Sequence, residues 1–265
     1  MLIILILAVL FTLAVMCRRG HKGLKDLRGW AYAHRGLHSE GIPENSLAAF
    51  RAAVAAGYGA ELDVHLLKDG SLVVFHDGKL ERMTGKPGRL EDLTAADLAA
   101  YPLAGTTETI PLFSQVLDVF AGKTPLIVEL KPVDGNHAAL CQSVCNLLDG
   151  YNGVYCLESF DPRCVHWLKK NRPDLIRGQL AENFFRSPDS PLPGFMKFLL
   201  SNLLENFLIL PDFVAYKFAD RKTPCAFLAR KIWGAQGVSW TITRPEDFDT
   251  AVKEGWIPIF EGFNP

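Results

Sequence analysis

The sequence predicts an α/β protein folded as a TIM (β/α)8 barrel and preceded by an N-terminal transmembrane helix. After residue 30, short apolar β-rich runs alternate with helix-like stretches as far as the C-terminus. Eight such runs can be counted, the number one barrel requires. The length of 265 residues fits a single barrel of roughly 250, with two smaller domains as the alternative.

The composition is 49% hydrophobic and 22% charged, with a formal net charge of −1. These values exclude a disordered chain, a collagen-like repeat and a small disulfide scaffold. They also leave no global electrostatic footprint for nucleic acid, so no nucleic-acid partner is expected and any polyanion site must be local. Mean hydropathy is slightly positive at +0.11, and much of the excess lies in the run Leu2 to Met16, interrupted only by Thr12. A spanning helix needs ~20 apolar residues, with roughly 17 as the lower limit, so this run reaches across a membrane only if its ends snorkel.

A cleaved signal peptide would carry basic residues before the apolar run and small residues at the cut. Here Arg18, Arg19, His21, Lys22 and Lys25 follow the run, and Val15-Met16-Cys17 is a poor cleavage site. The chain therefore reads as an uncleaved anchor over 1–17, a basic linker over 18–29 and a barrel over 30–265. The basic residues after the anchor place the barrel on the cytoplasmic side of a single-pass membrane protein. Five of the six cysteines fall in the barrel without framework spacing, which suggests free, mostly buried thiols in a reducing compartment. Cys141 and Cys145 lie four apart on an expected helix, but no histidine or second pair completes a metal site.

The expected strands are Ala31 to His34, Ala60 to Val64, Leu126 to Leu130, Val154 to Ser159, Ile176 to Leu180, Phe213 to Tyr216, Val238 to Ile242 and Ile257 to Phe260. The expected helices are Ser46 to Ala56, Phe113 to Phe120, His137 to Leu148, Pro162 to Lys170, Pro224 to Ala235 and Pro245 to Glu254. Several open on capping or first-turn residues: Asn45, Asp161 and the Thr243-Arg244-Pro245 run. One hairpin interrupts the alternation. Asp69-Gly70 between two apolar runs is a strong turn signal, and folding about it brings Leu72 to Phe75 back along the second strand, with His76 opposite Leu62. Residues 78–109 then form a small insertion. A second insertion, 184–210, contains a long apolar stretch from Gly194 to Leu210 with only Lys197 and Glu205 charged; as a helix it is either well buried or seated in a membrane interface.

Polar residues cluster by type at the C-terminal ends of the expected strands, where this fold places catalysis. Strand one ends in His34-Arg35-Gly36, the next carries Glu61-Leu62-Asp63, the return strand ends in His76-Asp77, and the next barrel strand ends in Glu129-Leu130-Lys131. Period-two alternation sends Glu61 and Asp63 to one side, and likewise Glu129 and Lys131. Several carboxylates in a barrel mouth repel one another unless a cation sits among them, so a divalent metal is implied, and oxygen-only ligands favour Mg²⁺ or Ca²⁺ over zinc. Two histidines near such a metal suit a general acid and a general base, and Arg35 and Lys131 add fixed positive charge. The set describes phosphoryl-ester hydrolysis better than acyl or glycosyl transfer.

His34-Arg35-Gly36, Pro43-Glu44-Asn45-Ser46, Glu61-Leu62-Asp63-Val64, Lys68-Asp69-Gly70, His76-Asp77 and Glu129-Leu130-Lys131 together resemble the signature of the glycerophosphodiester phosphodiesterase family. Glu158-Ser159-Phe160-Asp161-Pro162 and Trp240-Thr241-Ile242 resemble its later motifs. The resemblance implies a barrel of the phospholipase C-like phosphodiesterase type that cleaves glycerophosphodiesters to sn-glycerol 3-phosphate and an alcohol with a divalent cation. Carried over by position, Glu61, Asp63 and Glu129 are metal ligands and His34 and His76 the acid/base pair. Arg35 and Lys131 hold the phosphate, Glu44 supports the metal or a glycerol hydroxyl, and Trp240 walls the glycerol. The final strand reads Ile259-Phe260-Glu261-Gly262-Phe263 where many relatives end in a Thr-Asp pair, which leaves the contacts of the last loop open. Two other functions fit the same sequence: a membrane-associated lysophospholipase D using the same site on lysophospholipids, and a membrane-tethered binding protein without catalysis.

Overall fold

The computed structural model describes residues 1–187 and 190–265. Eight parallel strands close a barrel: β1 (Tyr32–Ala33), β2 (Gly59–Leu66), β4 (Leu126–Leu130), β5 (Tyr155–Ser159), β6 (Arg177–Ala181), β7 (Phe213–Lys217), β8 (Gln236–Ile242) and β9 (Trp256–Phe260). The short β3 (Leu72–Val74) adds antiparallel to β2. Closure comes from β1, which pairs with β2 on one side and with β9 on the other. Parallel strands buried on both faces must be apolar on both, and the two sets separate by alternation. Leu62, Val64, Val128 and Leu130 face outward, clustering with Phe50, Val116, Phe120, Leu140 and Val144 of the surrounding helices. Tyr32, Ile127, Cys156, Phe213, Val238 and Ile257 fill the interior.

The helices are α1 (Leu2–Ala14), α2 (Leu24–Leu27), α3 (Leu47–Ala55), α4 (Glu81–Thr84), α5 (Phe113–Phe120), α6 (His137–Leu148), α7 (Pro162–Asn171), α8 (Gly194–Ser201), α9 (Asn206–Ile209), α10 (Pro224–Phe227) and α11 (Pro245–Lys253). The cap of α3 is Ser46, whose hydroxyl accepts from Ala49 N, and not the expected Asn45. The expected helix from Pro224 to Ala235 is α10 followed by a wider π-type turn over Leu228–Ile232. The hairpin register pairs Val64 with Val74 and Leu66 with Leu72, which carried forward sets His76 opposite Leu62 as the turn chemistry required. The 78–109 insertion folds over this hairpin with its own small core of Leu67, Val73, Phe75, Leu80, Met83, Leu90 and Leu98.

The N-terminal segment departs from the expected anchor and linker. Helix α1 has 13 residues, which at 1.5 Å each span about 20 Å against a hydrocarbon core of about 30 Å. No helix among the described residues is long and apolar enough to cross a membrane. The chain turns onto the barrel already at Val15 and Cys17, both buried. Arg18 N donates to Pro211 O, and its guanidinium bonds Asp212 at 2.5 Å and the carbonyls of Pro173 and Leu175. Trp233 Nε1 donates to Thr12 O at 2.7 Å, and the Arg19 guanidinium lies over the Trp233 ring. Leu24 and Leu27 of α2 then join the interior cluster from below. Residues 18–29 therefore close the N-terminal end of the barrel instead of linking it loosely, because the apolar floor needs a cover and Asp212 needs a buried cation.

The 184–210 insertion is likewise not one helix, and its residues 188–189 lie outside the described residues. Its later part is α8 and α9, broken at Leu203, which sits at φ +54°. Leu200, Leu203 and Ile209 are buried while Phe195, Phe198, Phe207 and Leu208 are exposed, so the stretch is half core and half surface. Between the two helices Glu205 is half-buried, yet both carboxyl oxygens are shut off from solvent with no hydrogen-bond partner, and burial pushes its pKa up to about 8. A carboxyl whose folded pKa lies above its unfolded value costs no stability below the unfolded pKa of about 4.3, and an increasing amount as pH rises from there to 8. Glu205→Gln is therefore expected to raise Tm at pH 7.5, by about 1–3 kcal/mol of stability, and to have little effect at pH 4. Thermal melts at the two pH values check this; an equal shift at both would show that ionisation is not the cause.

Candidate active site

The barrel brings together the residues singled out at the strand ends. Glu61 and Asp63 of β2 and Glu129 of β4 are buried, and each offers a carboxylate oxygen within 4.8 Å of the others. The register explains it: Asp63 pairs directly with Glu129 on neighbouring parallel strands. Lys131 Nζ stands 2.7 Å from Glu129 and 3.1 Å from Asp63. Asn45 Nδ2 donates to Asp63 Oδ2 at 2.8 Å, so this residue, read from sequence as a helix cap, is a support for the carboxylate cluster.

The charge state follows from crowding. Burial, then repulsion by Asp63, Glu129 and Glu158, pushes Glu61 well above the carboxylate range. Burial also lifts Glu129 to about 7 against the pull of Lys131. Burial works against ionisation of Asp63 too, but Lys131, His76 and Arg35 overcome it and hold that group below the carboxylate range. Glu158, which pairs with Glu129 in the sheet, is a fourth buried carboxyl beside this cluster and is raised by burial and by Glu129. Three convergent buried carboxylates, two of them raised by burial and by their neighbours' charge, make the environment that a divalent cation relieves, and their all-oxygen donors suit Mg²⁺ or Ca²⁺. The residues fit such an ion.

Arg35 occupies the left-handed region at φ +54°, a conformation that costs a non-glycine residue about 1–3 kcal/mol. That turn lets its amide donate to Glu61 Oε2 at 3.1 Å while its guanidinium reaches Glu44 at 2.7 Å and lies 3.7 Å from Asp63. Gly36, at φ +80°, follows where a Cβ would press on Ala49. Glu44 does not reach the carboxylate cluster. Its oxygens accept from Arg35 and from Arg82, and although burial opposes it, these two arginines lower its pKa to about 2. Arg82 also donates to Asp77 Oδ2 at 2.6 Å. No motif pointed to Arg82, because it lies in the insertion.

Both histidines face the same mouth. Each has Nδ1 on a carboxylate, His76 on Asp77 at 2.6 Å and His34 on Glu261 at 2.5 Å. His34 Nε2 lies 3.9 Å from Glu61. Burial lowers the His76 pKa, and Lys131 and Arg35 add to this against Asp77 and Asp63. Trp240 spends its Nε1 hydrogen on Ala215 O and meets the ring of Phe160 edge-on at 5.5 Å, so it offers the mouth an apolar surface.

A barrel whose strand ends converge on a buried carboxylate centre flanked by two braced histidines and two cations defines a barrel hydrolase whose carboxylates could hold a metal ion. Residues 34–261 match the Glycerophosphoryl diester phosphodiesterase family, and the chain belongs to it. The chain is 28% identical over 235 residues to a glycerophosphodiester phosphodiesterase of Caldanaerobacter subterraneus subsp. tengcongensis, covering 84% of this chain and 89% of that protein. It is 35% identical to the Lysophospholipase D GDPD1 of Rattus norvegicus over 132 residues, or 45% of this chain and 40% of that protein. In fold it is similar to an Oleispira antarctica phosphodiesterase solved in complex with the product sn-glycerol-3-phosphate, with a TM-score of 0.72, 23% identity and coverage of 88% of this chain and 92% of that one.

If the cluster holds a cation, Ca²⁺ or Mg²⁺ should raise the Tm of the wild type, by about 2.7 kcal/mol of stability at a hundredfold excess over Kd. The shift should vanish in the Glu61→Gln, Glu129→Gln double variant. Equal shifts in both proteins would place the ion elsewhere.

Proposed function

We propose that the protein is a metal-dependent phosphoric diester hydrolase that cleaves glycerophosphodiesters to sn-glycerol 3-phosphate and an alcohol. The observation that carries this reading is the convergence on one barrel mouth of three buried carboxylates and two histidines, each histidine held through Nδ1. Glu61, Asp63 and Glu129 would hold the cation, which supplies neutralising charge on the phosphate as negative charge builds. Arg35 and Lys131 add fixed positive charge to the same place; Arg35 is kept in position by Glu44, and Lys131 by Asp63 and Glu129. With Nδ1 occupied, each histidine has only Nε2 to offer. One takes the proton of the attacking oxygen, whether of water or of the neighbouring glycerol hydroxyl, and the other returns a proton to the departing alkoxide. The Trp240 ring serves as the apolar wall for the glycerol.

His34→Ala and His76→Ala should each lower kcat on glycerophosphocholine by about 10²–10⁴-fold with little change in Tm. Chelation should abolish turnover, and Mg²⁺ or Ca²⁺ should restore it. Unchanged hydrolysis in either variant would defeat the assignment of the acid/base pair, whereas a wild type without turnover would leave the non-catalytic binding protein as the reading.

A second reading, lysophospholipase D activity at the same site, is favoured by one feature. A cavity of about 490 Å³ lined mainly by Phe160, Phe184, Leu192, Met196 and Leu200, with Asp161 and Arg163 at it, shares Phe160 with the Trp240 ring. A hydrocarbon chain carried on the glycerol could lie there.

The membrane association expected from the sequence remains our proposal in a narrower form. Helix α1 is apolar all round with Leu2 to Leu7 about half or more exposed, and Arg19, Lys22 and Lys25 follow its root, which suits entry into one leaflet of an anionic bilayer on the cytoplasmic side. Co-flotation with vesicles containing anionic lipid should be lost when residues 2–14 are deleted, with glycerophosphocholine turnover retained. Flotation of the truncated barrel would refute attachment through α1.

A further inference from the structure

We infer that Glu261, at the end of the last strand, is a positioning residue for His34: it fixes the imidazole with the proton on Nδ1 and so leaves Nε2 free toward the phosphate site. The inference rests on the hydrolase reading above and goes beyond it in assigning a role to a residue outside the motifs.

The two histidines are held by the same chemistry from opposite ends of the chain. His76 takes its carboxylate from the next residue, Asp77, and Arg82 steadies that carboxylate. His34 has no acidic neighbour in sequence. It finds one 227 positions away, because the barrel closes there: β1 pairs with β9, Ala33 stands beside Phe260, and His34 N donates to Phe260 O at 2.9 Å. Along β9 the alternation that turns Ile257 and Ile259 inward carries Glu261 to the same side. Glu261 Oε2 meets His34 Nδ1 at 2.5 Å, and its other oxygen lies 3.8 Å from His38 Nε2. Gly262, at φ +82°, turns the chain away immediately afterwards.

A carboxylate only accepts, so the His34 proton at this contact sits on Nδ1. The unprotonated nitrogen of the neutral ring is then Nε2, on the side of Glu61 and the carboxylate cluster. Without Glu261 the ring is free to rotate and to exchange tautomers, and only a fraction of molecules would present Nε2 correctly. The final strand, reading Ile259-Phe260-Glu261-Gly262-Phe263 where many relatives end in a Thr-Asp pair, thus keeps a carboxylate within reach of the imidazole.

Three variants test this with the full chain and saturating Ca²⁺. Glu261→Ala should lower kcat on glycerophosphocholine by about 10–100-fold with KM within about twofold, and Glu261→Asp should recover part of the loss. Glu261→Gln, which keeps the volume should the alanine variant fold poorly, should also lower kcat. In nitrogen-15 NMR of the histidine rings, the wild type should show His34 protonated on Nδ1, and the alanine and glutamine variants a mixture of tautomers. The inference is overturned if the variants keep wild-type kcat, if the loss is wholly in KM, or if the tautomer is unchanged. The tautomer signal does not depend on turnover. A wild type inactive on every glycerophosphodiester would therefore defeat the hydrolase reading alone, and an unchanged tautomer the role of Glu261 alone.

Discussion

The crowding of carboxylates in one barrel mouth is the constraint on which the rest of the site depends. Glu61, Asp63 and Glu129 are buried within reach of one another, with Glu158 beside them, in surroundings that do not screen charge as water does. The protein answers this repulsion with cations placed at fixed distances. Lys131 spans Asp63 and Glu129, while Arg35 bonds Glu61 through its backbone and approaches Asp63 with its side chain. These cations do not cancel the acidic excess, and burial together with the remaining repulsion raises Glu61 and Glu129. A divalent cation bound there would displace the protons the cluster holds, so its binding would release protons and strengthen as pH rises.

The same constraint orders the outer groups. Arg35 can serve the cluster only if its guanidinium is held in place, and Glu44 does this from behind. Glu44 is in turn shared with Arg82, which also fixes Asp77 and through it His76. One chain of contacts therefore runs from the first strand through the 78–109 insertion to the second histidine. The insertion folds over the hairpin with a core of its own, so its rigidity, and with it the aim of His76, rests on residues far from any motif. On the other side, His34 is aimed by the strand that closes the barrel.

Much of this was legible in the sequence because period-two alternation and strand-end position are local properties. Glu61 and Asp63 had to share a face, Glu129 and Lys131 likewise, and the Asp69-Gly70 turn set the register that carried His76 back to the mouth. What stayed hidden depended on closure. Glu261 meets His34 only because the last strand lies beside the first, and Arg82 meets Glu44 only because the insertion folds back. The partners of Glu44 were hidden for the same reason: its motif neighbours suggested metal or glycerol, and the structure puts its oxygens on two arginines, one distant in sequence. The N-terminal segment failed differently. Its hydropathy gave a run of apolar residues but not where the run would meet the barrel, and burial of Val15 and Cys17 removes its last residues from any membrane.

That removal bears on which way the enzyme faces. Arg18 and Arg19 bind the carbonyls that precede β6 and β8, and Asp212 just before β7, so α1 is rooted at the N-terminal ends of the strands. The carboxylates and histidines lie at the opposite ends, and a five-residue strand at ~3.3 Å per residue separates the two by about 16 Å. A bilayer held by α1 would thus lie against the floor of the barrel, with the mouth turned toward solution. Water-soluble glycerophosphodiesters reach such a mouth directly. A lysophospholipid would then have to leave the bilayer before its chain could enter the cavity beside Phe160, so attachment by the floor, if α1 seats in a membrane as proposed, would favour diesters whose alcohol is polar.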